Sequence, residues 1–284
     1  TDTTLIVKAP PGAGKSTLVP LTLMNEPWLK GQKILMLEPR RLAAKTIANR
    51  MSDLLGEQIG ESVGFRIRFE NRVGPNTQIE VVTEGILTRM IQQDNGLEGV
   101  GLVIFDEFHE RSIHADVAMA LCREAQQILR PDLRIMVMSA TLDMPELSAM
   151  LNASVVISEG RQYPVEINYS GESDMRLLPE LAARVVKSAL QKHEGDILVF
   201  LPGQGEIRKC EEFLRNSTKG VMIHPLYGQL PPNKQFAAIM PNREGKRKIV
   251  LATSIAETSL TIEGVKVVVD SGFGRTSRFD PNSG

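Results

Sequence analysis

Leu5-Ile6-Val7-Lys8-Ala9-Pro10-Pro11-Gly12-Ala13-Gly14-Lys15-Ser16-Thr17 passes from a short apolar strand through a glycine-bearing loop into Lys-Ser-Thr at the start of a helix. That order suits a polyphosphate. Glycines let loop N–H groups converge on phosphate oxygens, and the helix N-terminus adds positive potential. In the pattern G-x-x-x-x-G-K-[ST] the lysine reaches the β- and γ-phosphates and the hydroxyl holds Mg²⁺, which here assigns Lys15 and Ser16. Ala9 stands where the pattern has its first glycine, and alanine is small enough to permit the turn.

Further along, Gly101-Leu102-Val103-Ile104-Phe105-Asp106-Glu107-Phe108-His109 is an apolar strand ending in two adjacent carboxylates. Open α/β sheets place ligands at that carboxyl edge. Asp106 can hold a metal, directly or through water, and Glu107 can orient and polarise an attacking water. A helix-capping Asp followed by a first-turn Glu would look the same in isolation. His109, Glu110 and His114 do not make a zinc motif. H-E-x-x-H needs its second histidine at Ile113, and His114 comes one residue late.

Strand-like and helix-like segments alternate throughout, which predicts α/β layers around parallel sheets. Strands are expected at 33–37, 78–83, 102–105, 133–138 and 154–158. Leu42, Ile47, Met51, Leu54 and Leu55, and again Val117, Leu121, Ala125, Ile128 and Leu129, recur at helical spacing and read as core. After Gly160 the pattern restarts, with strands at 165–169, 196–201, 220–224, 248–252 and 265–270 and helices over 175–192 and 205–216. Two domains are expected, 1–160 and 161–284. The 284 residues are 42% hydrophobic and 24% charged, a globular balance. The net charge of −1 leaves any nucleic-acid contact to a local cleft. Two cysteines imply no disulfide framework, and the lack of a leader or membrane-length run points to the cytoplasm and to no membrane partner.

The order of the blocks resembles the DEAH-box helicases of superfamily 2. Asp106-Glu107-Phe108-His109-Glu110-Arg111 looks like their motif II and the opening loop like motif I. Glu38-Pro39-Arg40-Arg41-Leu42-Ala43-Ala44 resembles motif Ia, Thr83-Glu84-Gly85 motif Ib and Ser139-Ala140-Thr141 motif III. Leu198-Val199-Phe200-Leu201-Pro202-Gly203 looks like motif IV, and Ala252-Thr253-Ser254-Ile255-Ala256-Glu257-Thr258-Ser259-Leu260-Thr261-Ile262 resembles motif V. Phe108 in place of alanine is similar to a bacterial, HrpB-like branch.

The resemblance implies two tandem RecA-like domains, parallel sheets flanked by helices, with ATP at their junction and a nucleic-acid strand across both. It implies an ATP-hydrolysing RNA helicase or translocase. The alternatives are an RNA clamp gated by ATP and a phosphate-loop enzyme with no nucleic acid. By position, Gly12, Ala13, Gly14, Lys15, Ser16 and Thr17 cradle ATP, while Ser16, Asp106 and Glu107 serve Mg²⁺. His109 with Ser139, Ala140 and Thr141 links hydrolysis to domain movement. Arg50 falls where relatives stack on adenine, although a solvated helix arginine reads the same way, and Glu263 falls where they touch ribose. Strand contacts are implied at Arg40, Arg68, Thr83, Gly85 and Thr253, mostly to phosphate and sugar. Arg243, Lys246, Arg247 and Lys248 read as a solvated loop at a strand edge. Single-stranded RNA is the implied partner, with DNA left open, regulators unassigned and a monomer expected. The family's Q-R-x-G-R-x-G-R motif VI does not appear before Gly284. A piece of a longer chain with a truncated second domain is therefore expected, and feeble turnover from these residues alone.

Overall fold

A strand buried on both faces must be apolar throughout, and the sequence supplies several such runs. The computed structural model describes residues 3–10, 12–140, 144–159, 164–171, 174–215, 218, 220–242, 245–256 and 262–275. It divides into two units, Thr1–Val165 and Glu166–Gly284. In the first, the chain runs β1 (Thr4–Lys8), α1 (Lys15–Leu23), β2 (Lys33–Leu37), α2 (Arg41–Leu55), β3 (Val63–Ile67), β4 (Glu70–Arg72) and β5 (Ile79–Val82). It continues through α3 (Glu84–Gln93), β6 (Val100–Phe105), α4 (Ile113–Ile128), β7 (Arg134–Ser139), α5 (Met144–Leu151) and β8 (Ser154–Ile157). The strands order as β4-β3-β5-β2-β6-β7-β1-β8. Every pairing is parallel except the β3–β4 hairpin. All six residues of β6 are buried, and β2 pairs with it so that Leu37 lies opposite Phe105.

The helices close where their sequences dictate. α2 ends at Gly56, whose φ of 72° lets its N–H turn back to the Ser52 and Asp53 carbonyls. α4 starts at Ser112, whose Oγ accepts the Ala115 N–H at 3.0 Å. Its buried face agrees with the expected one at Ala125, with Leu121 partly buried against the core, and differs elsewhere. Ala115, Ala118, Met119, Cys122, Ala125 and Gln126 face the sheet, while Val117, Ile128 and Leu129 are exposed. Both sets obey helical spacing, but the small residues let the helix approach the strands closely. Gln126 then fixes the contact, donating to the Thr3 and Leu133 carbonyls at 3.2 and 2.8 Å. On α2, Leu42, Ile47 and Met51 are core as expected, and Leu54 and Leu55 are exposed. Trp28 sits on a single turn of 3-10 helix, its ring 4.4 Å from the Arg134 guanidinium.

The second unit contains α6 (Leu178–Lys192), β9 (Asp196–Phe200), α7 (Gln204–Arg215), β10 (Met222–Leu226), α8 (Pro232–Ile239), β11 (Lys248–Ala252) and β12 (Val265–Asp270). Its sheet is parallel, in the order β10-β11-β9-β12. Val186, Ile207, Cys210 and Leu214 from two helices pack on Ile197, Val199, Ile249 and Leu251. Two expectations are corrected here. Residues 165–169 form no strand: Val165, Ile167 and Tyr169 are 81%, 69% and 93% exposed. Alternation alone does not make a strand without a partner ladder. Nor are Arg247 and Lys248 part of a solvated loop. Arg247 donates to the Gly195 and Leu190 carbonyls at 2.8 and 3.0 Å. Lys248 is buried, its Nζ donating to the carbonyls of Ala238, Ile239 and Met240 at 3.1, 3.1 and 2.9 Å. These are the orphan carbonyls at the end of α8, where a cation is favoured. Arg243 and the expected boundary residue Gly160 lie outside the described residues. Among the described residues no helix is long and apolar enough to cross a membrane.

Candidate nucleotide site

Within the first unit, β1 delivers the phosphate loop. Ala9 is buried and donates its N–H to the Ser139 carbonyl at 3.2 Å, tying the start of the loop to the end of β7. Ala9 is not among the positive-φ residues, so a Cβ is tolerated where the pattern has glycine. Gly12 and Gly14 both adopt φ of 78°, the left-handed region that glycine enters without strain. Gly14 is also the N-cap of α1, with no side-chain cap and no acidic residue in the first turn. The N–H groups of that turn therefore project positive potential that no cap or first-turn acid of the helix itself cancels. Ala13 is exposed, and Ser16 and Thr17 are half-buried at the same end of the helix.

β6 delivers the acids. In the sheet it is separated from β1 only by β7. Lys15 Nζ and Glu107 Oε1 nevertheless meet at 3.2 Å, both side chains about nine-tenths buried. Glu107 holds φ of 48°, unusual for a residue with a side chain, and strain of this kind recurs at functional sites. Asp106 is buried. Its Oδ1 accepts the Glu107 N–H at 2.9 Å, and its Oδ2 has no hydrogen-bond partner. Burial, then the Glu107 charge, pushes the Asp106 pKa up to about 6 against the pull of Ser16 and Lys15. His109 Nδ1 sits 3.3 Å from Glu107 Oε2, in contact without hydrogen-bonding geometry. Phe105 and Phe108 pack edge-to-face at 6.0 Å beneath this turn.

A third acid joins the pair. Glu38 follows β2 and is fully buried. One oxygen accepts the Arg40 N–H at 3.4 Å and the other has no partner. Burial first, then Asp106, holds its pKa well above the usual carboxylate range. Within the Glu38–Ala44 block the sequence alone assigns Glu38 no role. The signal that could have found it is register, since a charge following Leu37 must sit beside the one following Phe105. The turn after the acids is wired to two neighbouring segments. Glu110 Oε2 accepts from Arg40 Nε at 3.2 Å, and Ser112 Oγ donates to Glu84 at 2.5 Å.

Of the other expected residues in this unit, Ser139 is buried and Ala140 half-buried at the end of β7, while Thr141 lies outside the described residues. Arg50 is exposed on α2. Thr83 caps α3 and Gly85 is exposed in its first turn, with open space where a Cβ would stand. Arg68 is exposed in the β3–β4 turn, 4.7 Å from the Phe69 ring. In the second unit, Thr253 donates its N–H to the Leu226 carbonyl at 3.1 Å and Glu263 is exposed. Residues 257–261 of the expected motif V lie outside the described residues.

An orphaned carboxylate oxygen on Asp106, beside the Ser16 hydroxyl and below a helix N-terminus, fits a hard cation carrying phosphates. The glycine turn fits the phosphates themselves. Against known proteins, residues 1–150 match the DEAD/DEAH box helicase family and residues 177–280 the helicase conserved C-terminal domain. The chain is 52% identical over 282 residues to the ATP-dependent RNA helicase HrpB of Escherichia coli K12, covering 99% of this chain and 35% of that protein. It is 37% identical to the ATP-dependent RNA helicase HrpA of Borreliella burgdorferi, covering 97% and 34%. The crystal structure of the E. coli DEAH/RHA helicase HrpB superposes with a TM-score of 0.89 at 52% identity, over 100% of this chain and 36% of that one. The E. coli DExH-box NTPase HrpB gives a TM-score of 0.75 at 50% identity, over 100% and 35%. The chain thus spans about a third of the length of these relatives.

Proposed function

The chain belongs to the DEAD/DEAH box helicase family, and from that footing we propose that it carries the ATP-hydrolysing core of an RNA helicase or translocase. The observation that supports this most is the meeting of Lys15 and Glu107 at 3.2 Å beside an Asp106 oxygen with no partner. Lys15 here holds a carboxylate in the position of an anionic ligand. When the β- and γ-phosphates arrive, the lysine exchanges Glu107 for them. Glu107 is then released to orient the attacking water and take up its proton. Gly12, Ala13, Gly14 and Thr17 line the phosphate cradle, and Ser16 and Asp106 hold Mg²⁺ with Glu107 alongside. That ion supplies charge neutralisation at the transferring phosphate. Arg50 serves adenine and Glu263 the ribose.

His109 steadies Glu107, and Ser139, Ala140 and Thr141 carry the change at the γ-phosphate toward movement along the strand. Arg40, Arg68, Thr83, Gly85 and Thr253 hold the backbone of single-stranded RNA, with DNA as the competing strand. The domain limits 1–160 and 161–284, a monomer and a cytoplasmic setting complete the proposal. The test is ATP turnover by the full-length protein with single-stranded RNA, duplex RNA and DNA compared. Stimulation by RNA is expected. No stimulation by any nucleic acid would leave a phosphate-loop enzyme of another kind, and RNA binding without unwinding would leave a clamp.

A further inference from the structure

The second unit holds a cavity of about 390 Å³ at the edge of its sheet, between α7, β10 and α8. It lies within the size range of small-ligand sites, about 300–1,000 Å³. Its charge is one-sided. Arg208 and Arg215 reach it from one face of α7 and Lys234 from α8. Glu211 offsets only Arg215, at 2.7 Å. Among the described residues neither Arg208 nor Lys234 has an ion-pair partner, so two cations face the cavity uncompensated. His224 lines the floor and adds no further charge, because burial and then Lys248 favour its neutral form. The remaining wall is apolar, from Ile223, Pro225 and Leu230.

The cavity is held open by side-chain bonds. Gln204 Nε2 donates to the Tyr227 hydroxyl at 2.9 Å, fixing a ring that lines the space. Gln235 Nε2 donates to the Tyr227 and Gly228 carbonyls at 3.2 and 3.1 Å, pinning the loop that closes the upper end. A preformed site loses less ordering entropy on binding. Its position is equally specific. Tyr227 follows Leu226, whose carbonyl takes the Thr253 N–H. Tyr227, which lines the cavity, thus stands one position along the chain from the residue that pairs with Thr253, the residue assigned to the RNA backbone.

We propose that this cavity accepts one nucleotide of the RNA strand leaving Thr253, its phosphate between Arg208 and Lys234 and its base against the Tyr227 wall. The inference rests on the RNA reading above and adds a subsite to it. A β-strand from a peptide partner fits this edge less well. Met222 donates inward to the Arg247 carbonyl. Alternation then turns position 225 outward, where proline has no N–H to offer.

The experiment uses the full-length protein, fluorescein-labelled oligouridylates of increasing length, and fluorescence anisotropy at several salt concentrations. R208E/K234E is compared with wild type, with R208Q/K234Q as a milder partner and ATP affinity by calorimetry as the folding control. For long oligomers the charge reversal should weaken RNA binding at least tenfold. It should also lower the salt slope by about 0.7, the contribution of one phosphate on a single strand. Oligomers too short to reach past Thr253 should bind equally well to both. Equal affinity and slope at every length, with ATP affinity intact, would overturn the subsite while leaving the RNA reading standing. UMP titration separates the other source. UMP binding lost in the variant with RNA affinity unchanged would assign the cavity to a free nucleotide and overturn the proposal. A wild-type protein that binds no RNA would remove the RNA reading and this subsite together.

Discussion

The first unit buries acids in two ways. Glu80 on β5 receives Lys33 Nζ and Arg66 Nε, each at 2.8 Å, so both oxygens are met. Glu38 and Asp106, at the ends of the next two strands of the same sheet, each keep an oxygen with no partner. The second unit repeats the first pattern with the opposite charge, Lys248 filling three carbonyls. A buried charge that holds the fold together is matched by the fold. One that must meet a ligand is left short, and the free protein carries the cost. Glu107 belongs with the second kind, since among the described residues its ammonium partner is the lysine that a phosphate would take.

This contrast can be broken by mutation. The largest expected effect is Glu107→Gln, which should lower ATP turnover about 10²–10⁴-fold with nucleotide affinity within a few-fold, measured by steady-state kinetics and calorimetry. An unchanged kcat would remove Glu107 from the chemistry. Lys248→Met should come next, destabilising the second unit by about 3 kcal/mol in urea unfolding, because three carbonyls lose their donor.

Asp106→Asn should act in the opposite direction on stability. In the nucleotide-free protein at pH 7 it should stabilise by about 2 kcal/mol while abolishing Mg-ATP hydrolysis. The pH dependence follows from the raised pKa. The folded state keeps its proton up to about pH 6, whereas the ordinary value is 3.8. Stability from this group is therefore full below about pH 4 and declines as pH rises through 6. The Asn variant should lack that decline; if it melts at a lower temperature than wild type at pH 7, the division fails. Glu80→Gln is the smallest change. Lys33 and Arg66 are more than one-third exposed, so about 1 kcal/mol is expected, with turnover untouched.

The ligand-facing kind of site was legible in the sequence because its residues come in short contiguous blocks. Strand, loop and Lys-Ser-Thr are adjacent, and Asp106-Glu107 closes an apolar run. The supporting contacts were less legible because they join segments far apart. Glu38 meets Asp106 only through the β2–β6 register, and Arg40 meets Glu110 across 70 positions. Residue type also misled. Lys248 looked solvated because lysine usually is, and Val117 and Leu129 looked buried because they are large, yet Ala118 and Cys122 take the inner face of α4. The β3–β4 hairpin escaped because β4 is only Glu-Asn-Arg, which carries no apolar alternation.

Trp28 is the single tryptophan of the chain and lies in the first unit, against Arg134. Its emission reports melting of that half alone, whereas circular dichroism registers helices from both. Recording the two signals on one sample gives the first half's denaturation curve directly and the second half's by difference, without any dye or label.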